Sequence, residues 1–92
     1  MDVIGLPEFL RCMQDSVRSE RDDEDIDRFL HRLAVEHTSA AMRAALIRIE
    51  GTDIRLWASD ELRLSRGAYR ITWRYEQRGN DTVIVCLTLA AV

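Results

Sequence analysis

The chain has 92 residues, of which 47% are hydrophobic and 32% are charged, and its net charge is −3. This composition indicates one globular domain over residues 1–92, near the lower end of the sizes that fold without disulfides or metals. All 13 basic residues are arginine, which excludes Schiff-base and P-loop chemistry because both need lysine. The acidic pI disfavours a nucleic-acid partner, since phosphate binding usually needs a basic excess.

No metal, cofactor or membrane association is predicted. Cys12 and Cys86 are far apart and lie in apolar patterns, which is typical of buried, reduced thiols. The two histidines, His31 and His37, make no metal-binding spacing. No apolar run approaches the ~20 residues that a membrane span needs, and Met1–Gly5 lacks the basic flank and apolar core of a signal peptide. We therefore expect a cytoplasmic protein.

The first half of the chain has helical spacing. Pro7 is typical of a first helical turn, and apolar residues then recur at i, i+3, i+4 and i+7. In residues 19–27, SERDDEDID, six of the nine residues are acidic, so the first helix is expected to end there and the next to begin. Residues 24–50 are predicted to form either one long bent helix or two helices, with Ser39 capping the last segment. That last segment is predicted to be helical because Met42, Ala45, Leu46 and Ile49 follow the i, i+3, i+4, i+7 spacing.

After Gly51 the periodicity changes to the alternation of β-strands. The predicted strands cover residues 54–57, 62–65, 69–76 and 82–89. Gly79-Asn80 is a strong hairpin signal between the last two. The final strand is apolar on both faces, which places it in the centre of the sheet.

These elements predict an α+β fold. Two to three N-terminal helices (helical part 6–50) are expected to pack on a C-terminal antiparallel β-meander of three to four strands (β-sheet part 53–90). The aromatic side of the longest strand is expected to face the helices.

A basic strip is the first candidate surface. Alternation puts Arg70 and Arg74 on the face opposite the aromatic residues, where forked contacts to an acidic protein segment are expected. The other interpretation is a solvated sheet face balanced by Glu61 and Glu76. The predicted binding residues are Arg63, Arg66, Arg70, Arg74, Trp73 and Tyr75.

The acidic run is the second candidate surface. Its central residues are Asp22, Asp23, Glu24 and Asp25. They would mimic nucleic acid or cap a basic site if the protein were an immunity-type or phage-encoded inhibitor. The other interpretation is that they only supply negative charge at a solvated helix N-terminus.

No catalytic residue is predicted. Cys12 shows no activating spacing with His31 or His37, and the neighbouring carboxylates of Asp60 and Glu61 point apart on a strand or turn. We therefore expect a binding protein rather than an enzyme.

Residues 62–90, LRLSRGAYRITWRYEQRGNDTVIVCLTLA, resemble the RelE/ParE superfamily of toxin–antitoxin toxins over about a third of the chain. The family signature is an Arg-Leu-x-x-Gly-x-Tyr-Arg-hydrophobic-x-Tyr-like strand pair, followed by a turn and an apolar strand. It is matched here by Arg63, Leu64, Gly67, Tyr69, Arg70, Ile71 and Trp73. The resemblance implies a first β-strand paired into the sheet, two helices and a strand meander. It carries over only Arg63 and Arg70, either as site residues or as structural residues.

The resemblance also implies a function. The gyrase-inhibiting ParE branch acts by binding, and it is the nearer functional model for an acidic chain without lysine. We therefore expect a growth inhibitor that binds a protein partner, either a cognate antitoxin or the inhibited target. The immunity-type inhibitor is the alternative. A ribosome-dependent mRNA endonuclease, with arginines stabilising charge and a tyrosine or histidine transferring a proton, is the third. Self-association through the apolar last strand is a further expectation.

Overall fold

A computed structural model describes residues 1–92. The elements in chain order are β1 (Val3–Gly5), α1 (Pro7–Ser16), α2 (Glu20–Glu36), β2 (Ala45–Arg48), β3 (Arg55–Ala58), β4 (Leu62–Leu64), β5 (Gly67–Arg78) and β6 (Asp81–Ala91). The predicted α+β class is confirmed, with two helices preceding the strand meander. The sheet has six strands rather than three to four, and it is mixed rather than antiparallel.

The sheet has the order β1-β6-β5-β3-β2. Strand β4 pairs with Gly67–Tyr69 at the start of β5, on the edge with which β3 pairs further along, at Thr72 and Trp73. Strand β1, which the periodicity did not predict, pairs in parallel with β6. Strand β6 lies between β1 and β5, as its two apolar faces predicted, and β1 pairs with its outer edge only at Ile84–Cys86. The loop to β6 is the two residues Gly79-Asn80, with a φ of 62° at Gly79, and a positive φ at the first loop position is typical of a type II′ turn.

A β-bulge in β6 determines which of its side chains face the helices. Thr72 and Trp73 are adjacent in β5 but pair with Thr88 and Cys86, which leaves one extra residue in β6. The extra residue brings Leu89 onto the face that also carries Cys86. Both side chains are therefore buried in the same core.

Helices α1 and α2 pack on that face of the sheet. Phe9, Ile26 and Leu33 are buried there in one core with the residues on the aromatic side of β5, as predicted. Ser19 caps α2 by accepting a hydrogen bond of 3.2 Å from the backbone N–H of Asp22. The acidic run consequently forms the first turns of α2. Neither helix is both long and apolar enough to cross a membrane.

The predicted helix over the last part of 24–50 is wrong, because α2 ends at Glu36 and Ala45–Arg48 is the strand β2. Ser39 does cap a turn, since its Oγ accepts a hydrogen bond of 3.3 Å from Met42 N, but the chain then pairs with β3. In so short an apolar run, helical spacing and strand alternation coincide. The pairing partner, which lies beyond Gly51, decides between them.

Candidate functional site

A cleft opens where β3 separates from β5. The two strands pair only through Trp57 with Trp73 and Ala58 with Thr72. The remainder of the β2–β3 hairpin leaves a cleft of about 480 Å³ beside β5. The residues lining it are Arg43, Asp53, Ile54, Arg55, Trp57, Arg74 and Tyr75. Three arginines against one aspartate make this cleft basic.

Arg43 is held rigidly in the wall of the cleft. Its guanidinium carbon lies 5.0 Å from the ring centroid of Trp57 and 5.5 Å from that of Tyr75, within the range of cation–π attraction. Its Nε donates to the carbonyl oxygen of His37 at 3.1 Å, and its Nη2 donates to the hydroxyl of Tyr75 at 2.6 Å. No carboxylate forms an ion pair with it. Arg43 is therefore a fixed, half-buried positive charge without an acidic partner.

His37 and Tyr75 complete a polar network with Arg43. The Nδ1 atom of His37 lies 2.6 Å from the Tyr75 hydroxyl oxygen. Burial, together with the positive charge of Arg43, lowers the pKa of His37 below its usual 6.5. A neutral imidazole with an unprotonated Nδ1 accepts a hydrogen bond from the Tyr75 hydroxyl, while Arg43 donates a hydrogen bond to the hydroxyl oxygen. The hydroxyl of Tyr75 is thus polarised from both sides, an arrangement suited to proton transfer.

The other two arginines of the cleft differ in their partners. Arg55 is exposed and forms no ion pair. Nη2 of Arg74 contacts Glu76 at 3.2 Å, and Nε of Arg78 contacts the same carboxylate at 2.7 Å. The hydrogen bond from Arg78 is the main reason that the pKa of Glu76 is lowered. Glu76 consequently neutralises part of the positive charge of Arg74, whereas the charge of Arg55 has no acidic partner.

The predicted arginine strip does not form one site. Arg70 and Arg74 share the outer face of β5, but Glu61 lies 3.9 Å from Arg70 and Glu76 binds Arg74. These are the two acids that the solvated-face interpretation named. Arg70 Nε is also buried without a hydrogen-bond partner.

The remaining predicted arginines lie elsewhere. Arg63 lines a smaller hollow of about 250 Å³ together with Arg28 and Arg32 of α2. Arg66 is exposed in the turn between β4 and β5. Of the predicted binding residues, only Arg74 and Tyr75 reach the cleft.

The predicted contact role of Trp73 is wrong, because its side chain has no solvent exposure. Its indole Nε1 donates a hydrogen bond of 2.8 Å to the carbonyl oxygen of Met42. Alternation along β5 puts it on the helix-facing side, where a large aromatic residue fills the core. Trp73 therefore supports the cleft wall from behind and does not touch a partner.

The prediction that Asp22 belongs to an exposed acidic surface is likewise wrong. Asp22 is only 2% exposed, and its carboxylate accepts hydrogen bonds from Ser65 N at 2.9 Å and Ser65 Oγ at 2.7 Å. These bonds lower its pKa. Asp23 and Glu24 are exposed, whereas Asp25 forms an ion pair with Arg28 at 2.9 Å. The acidic surface is therefore smaller than predicted.

Five residues that line the cleft were not predicted as site residues: Arg43, Asp53, Ile54, Arg55 and Trp57. The predicted helix over 24–50 hid Arg43, which lies in a turn. The available signal was the interruption at Thr38-Ser39, since a turn there brings the next polar residues against the sheet.

Exposed apolar side chains lie on the β2–β3 hairpin beside the cleft, on both of its faces, because Leu46 and Ile47 are neighbours in β2. These side chains are Leu46, Ile47, Ile49 and Ile54, which are 37–47% exposed. Ile54 also lines the cleft. Strand β2 is the end of the sheet order, so its outer edge has no strand partner. Below we call this set of four side chains the hairpin patch.

Comparison of the chain with protein-family models, curated proteins and solved structures found no match. No group of three or more histidine, cysteine, aspartate or glutamate side chains is arranged to hold a metal ion. The function of the chain must therefore be inferred from its own residues.

Proposed function

We propose that this protein is a cytoplasmic growth inhibitor that acts by binding another protein, in the manner of RelE/ParE-like toxin–antitoxin modules. The hairpin patch beside the basic cleft carries the proposal. Ile54 lines the cleft together with arginine, tryptophan and tyrosine side chains, and the other three apolar side chains are exposed on the same hairpin. Protein interfaces are enriched in aromatic residues and arginine, and an exposed apolar cluster favours a protein partner.

The order of elements supports the same proposal. The resemblance to the RelE/ParE superfamily implies a first strand that pairs into the sheet, then two helices and a meander. Strand β1 pairs with β6, and α1 and α2 precede the five remaining strands. The residues that carry the resemblance occupy β4 and β5.

Expression in a bacterial host, combined with capture of bound proteins, tests this function. Wild-type protein should arrest growth and retain a specific partner. Ile47→Asp and Ile54→Asp, which place charge in the hairpin patch, should abolish both effects while leaving the circular dichroism spectrum unchanged. Val35→Asp is the matched control, because Val35 is 68% exposed on α2. Harmless expression, or full inhibition by both hairpin variants, would contradict the proposal.

A ribonuclease is the second candidate, and the network of His37, Arg43 and Tyr75 favours it. Tyr75 would accept the proton of an attacking ribose 2′-hydroxyl while passing its own proton to His37, and the imidazolium would return a proton to the leaving 5′-oxygen as the P–O bond breaks. Arg43 would stabilise negative charge on a phosphoryl oxygen. Cleavage of ribosome-bound message that is lost in Tyr75→Phe would establish this candidate. Intact message after incubation with the wild-type protein would exclude it.

The immunity-type inhibitor has less support. Its proposed acidic surface loses Asp22 to a structural role, and Asp25 is already paired with Arg28. Neutralising Asp23 and Glu24 should therefore leave partner capture unchanged.

A further inference from the structure

This inference rests on the proposed function and concerns the chemistry of the partner. We propose that the partner inserts an extended segment, in which acidic and apolar side chains alternate, into the cleft between β3 and β5. A carboxylate of that segment binds Arg43 and Arg55. Its apolar side chains contact the hairpin patch.

Arg43 provides the first reason. Two aromatic rings and two hydrogen bonds hold its guanidinium in place, and the protein supplies no hydrogen-bond acceptor for its Nη1. The unpaired Nη1 is not buried, so an incoming carboxylate can reach it and form a charge-assisted hydrogen bond. The guanidinium is also already ordered, so little side-chain entropy is lost when a carboxylate binds.

The charges around the cleft provide the second reason. Arg55 and Arg74 line it together with Arg43, and Asp53 is the only acidic residue lining it. Glu76 neutralises part of Arg74, while Arg55 forms no ion pair. The uncompensated charge suits one carboxylate, which accepts forked hydrogen bonds from guanidinium groups.

The backbone of β5 explains why the segment is extended. Strand β3 pairs with β5 no further along than Trp73, and β4 pairs only with Gly67–Tyr69. The edge of β5 from Arg74 onwards therefore has no strand partner on the side of the cleft. An extended peptide can hydrogen-bond to such an edge by β-augmentation, and its alternate side chains then point to opposite faces.

The apolar surroundings favour a protein over a nucleic acid. Ile54 lines the cleft, and the rest of the hairpin patch continues from it. Nucleic-acid interfaces are more polar and much more positively charged than protein interfaces, whereas this chain carries a net charge of −3.

The fluorescence of Trp57 provides the test. Trp57 lines the cleft, and the other tryptophan, Trp73, is fully buried. The full chain is titrated with a blocked peptide of alternating valine and glutamate, with its glutamine counterpart, and with a short RNA of equal charge. The glutamate peptide should bind saturably and at least about tenfold more tightly than the glutamine peptide, as loss of charge-assisted hydrogen bonds predicts. Trp57→Phe should remove the signal.

Three variants locate the carboxylate. Arg43→Gln and Arg55→Gln should each weaken binding of the glutamate peptide about tenfold. Arg11→Gln, in the exposed ion pair with Glu8 on α1, should leave it unchanged. Because Arg55 is exposed and forms no ion pair, Arg55→Gln tests the site even if Arg43→Gln fails to fold.

Three results would overturn the inference: equal binding of the two peptides, saturable binding of RNA without binding of the glutamate peptide, or undiminished binding by Arg55→Gln. Capture of the same cellular partner by wild type and Arg55→Gln, with the hairpin variants inactive, would overturn only this inference. Absence of any captured partner would overturn the proposed function itself.

Discussion

The Nη2 atom of Arg43 lies 2.6 Å from the hydroxyl oxygen of Tyr75, although the two residues are 32 positions apart in the chain. This bond ties the turn that follows α2 to the middle of β5. The same guanidinium binds the carbonyl oxygen of His37 at the end of α2. One side chain therefore holds three separate segments together at the wall of the cleft.

Tyr75→Phe should destabilise the protein by about 1–3 kcal/mol, because it leaves Arg43 and His37 without their shared partner. Urea unfolding measures the change. Tyr69→Phe is the matched control, since Tyr69 lies in the same strand and makes no side-chain hydrogen bond. Equal effects of the two substitutions would show that the network contributes nothing to stability.

The free energy of unfolding should decrease as the pH falls below about 6.5. The pKa of His37 is lower in the folded protein than in the unfolded chain. As the pH falls, the unfolded chain therefore takes up the proton more readily, and this shifts the equilibrium towards unfolding. Urea midpoints between about pH 7.5 and about pH 5.5 measure the slope, in a range above the titration of most carboxylates. His37→Gln should flatten it, and His31→Gln, on the exposed face of α2, should not. An unchanged slope in His37→Gln would assign it to another group.

Trp73→Phe should cost more than Trp57→Phe. Trp73 is fully buried and its Nε1 donates to Met42, so its replacement leaves a buried carbonyl unpaired and a small cavity, together about 2–4 kcal/mol. Trp57 is half-buried and its indole donates no hydrogen bond within the protein, so about 1 kcal/mol or less is expected. Thermal or urea unfolding of the two variants checks the order, and a larger loss in Trp57→Phe would contradict the assignment of Trp73 to the core.

Asp22→Asn and Ser65→Ala should each lower stability at neutral pH, and the double variant should be little worse than either alone. The bonds from Ser65 Oγ to the Asp22 carboxylate are lost in Ser65→Ala and weakened in Asp22→Asn, whereas the bond from Ser65 N remains in Ser65→Ala. The two substitutions therefore act on a shared contact, and their effects are not additive. Because the pKa of Asp22 is held below 3.8, its contribution is present above that pH and is lost as the pH falls further. Asp22→Asn should therefore reduce the acid sensitivity of unfolding below about pH 4, and additive effects would contradict the shared contact.

Periodicity alone was sufficient to predict the elements in which apolar side chains alternate strictly or recur at a fixed spacing. The alternation of β5 over residues 69–76 put Ile71 and Trp73 on the side facing the helices, where both are buried, although Trp73 was also predicted as a contact residue. The two apolar faces of β6 placed it in the centre of the sheet. Such patterns are local consequences of which face is buried, so they are visible in the sequence. The Gly79-Asn80 turn was visible for the same reason, because the turn geometry itself selects its residues.

The short elements depended on partners that lie far away in the chain. Strand β1 exists because β6 offers it a parallel edge, and β2 is a strand because β3 pairs with it. Neither segment is long enough for its own periodicity to distinguish strand from helix. The cleft has the same origin, since Arg43, Trp57 and Tyr75 meet only where β3 leaves β5. Contacts over such separations depend on how the layers pack, and single-residue propensities carry no record of that packing.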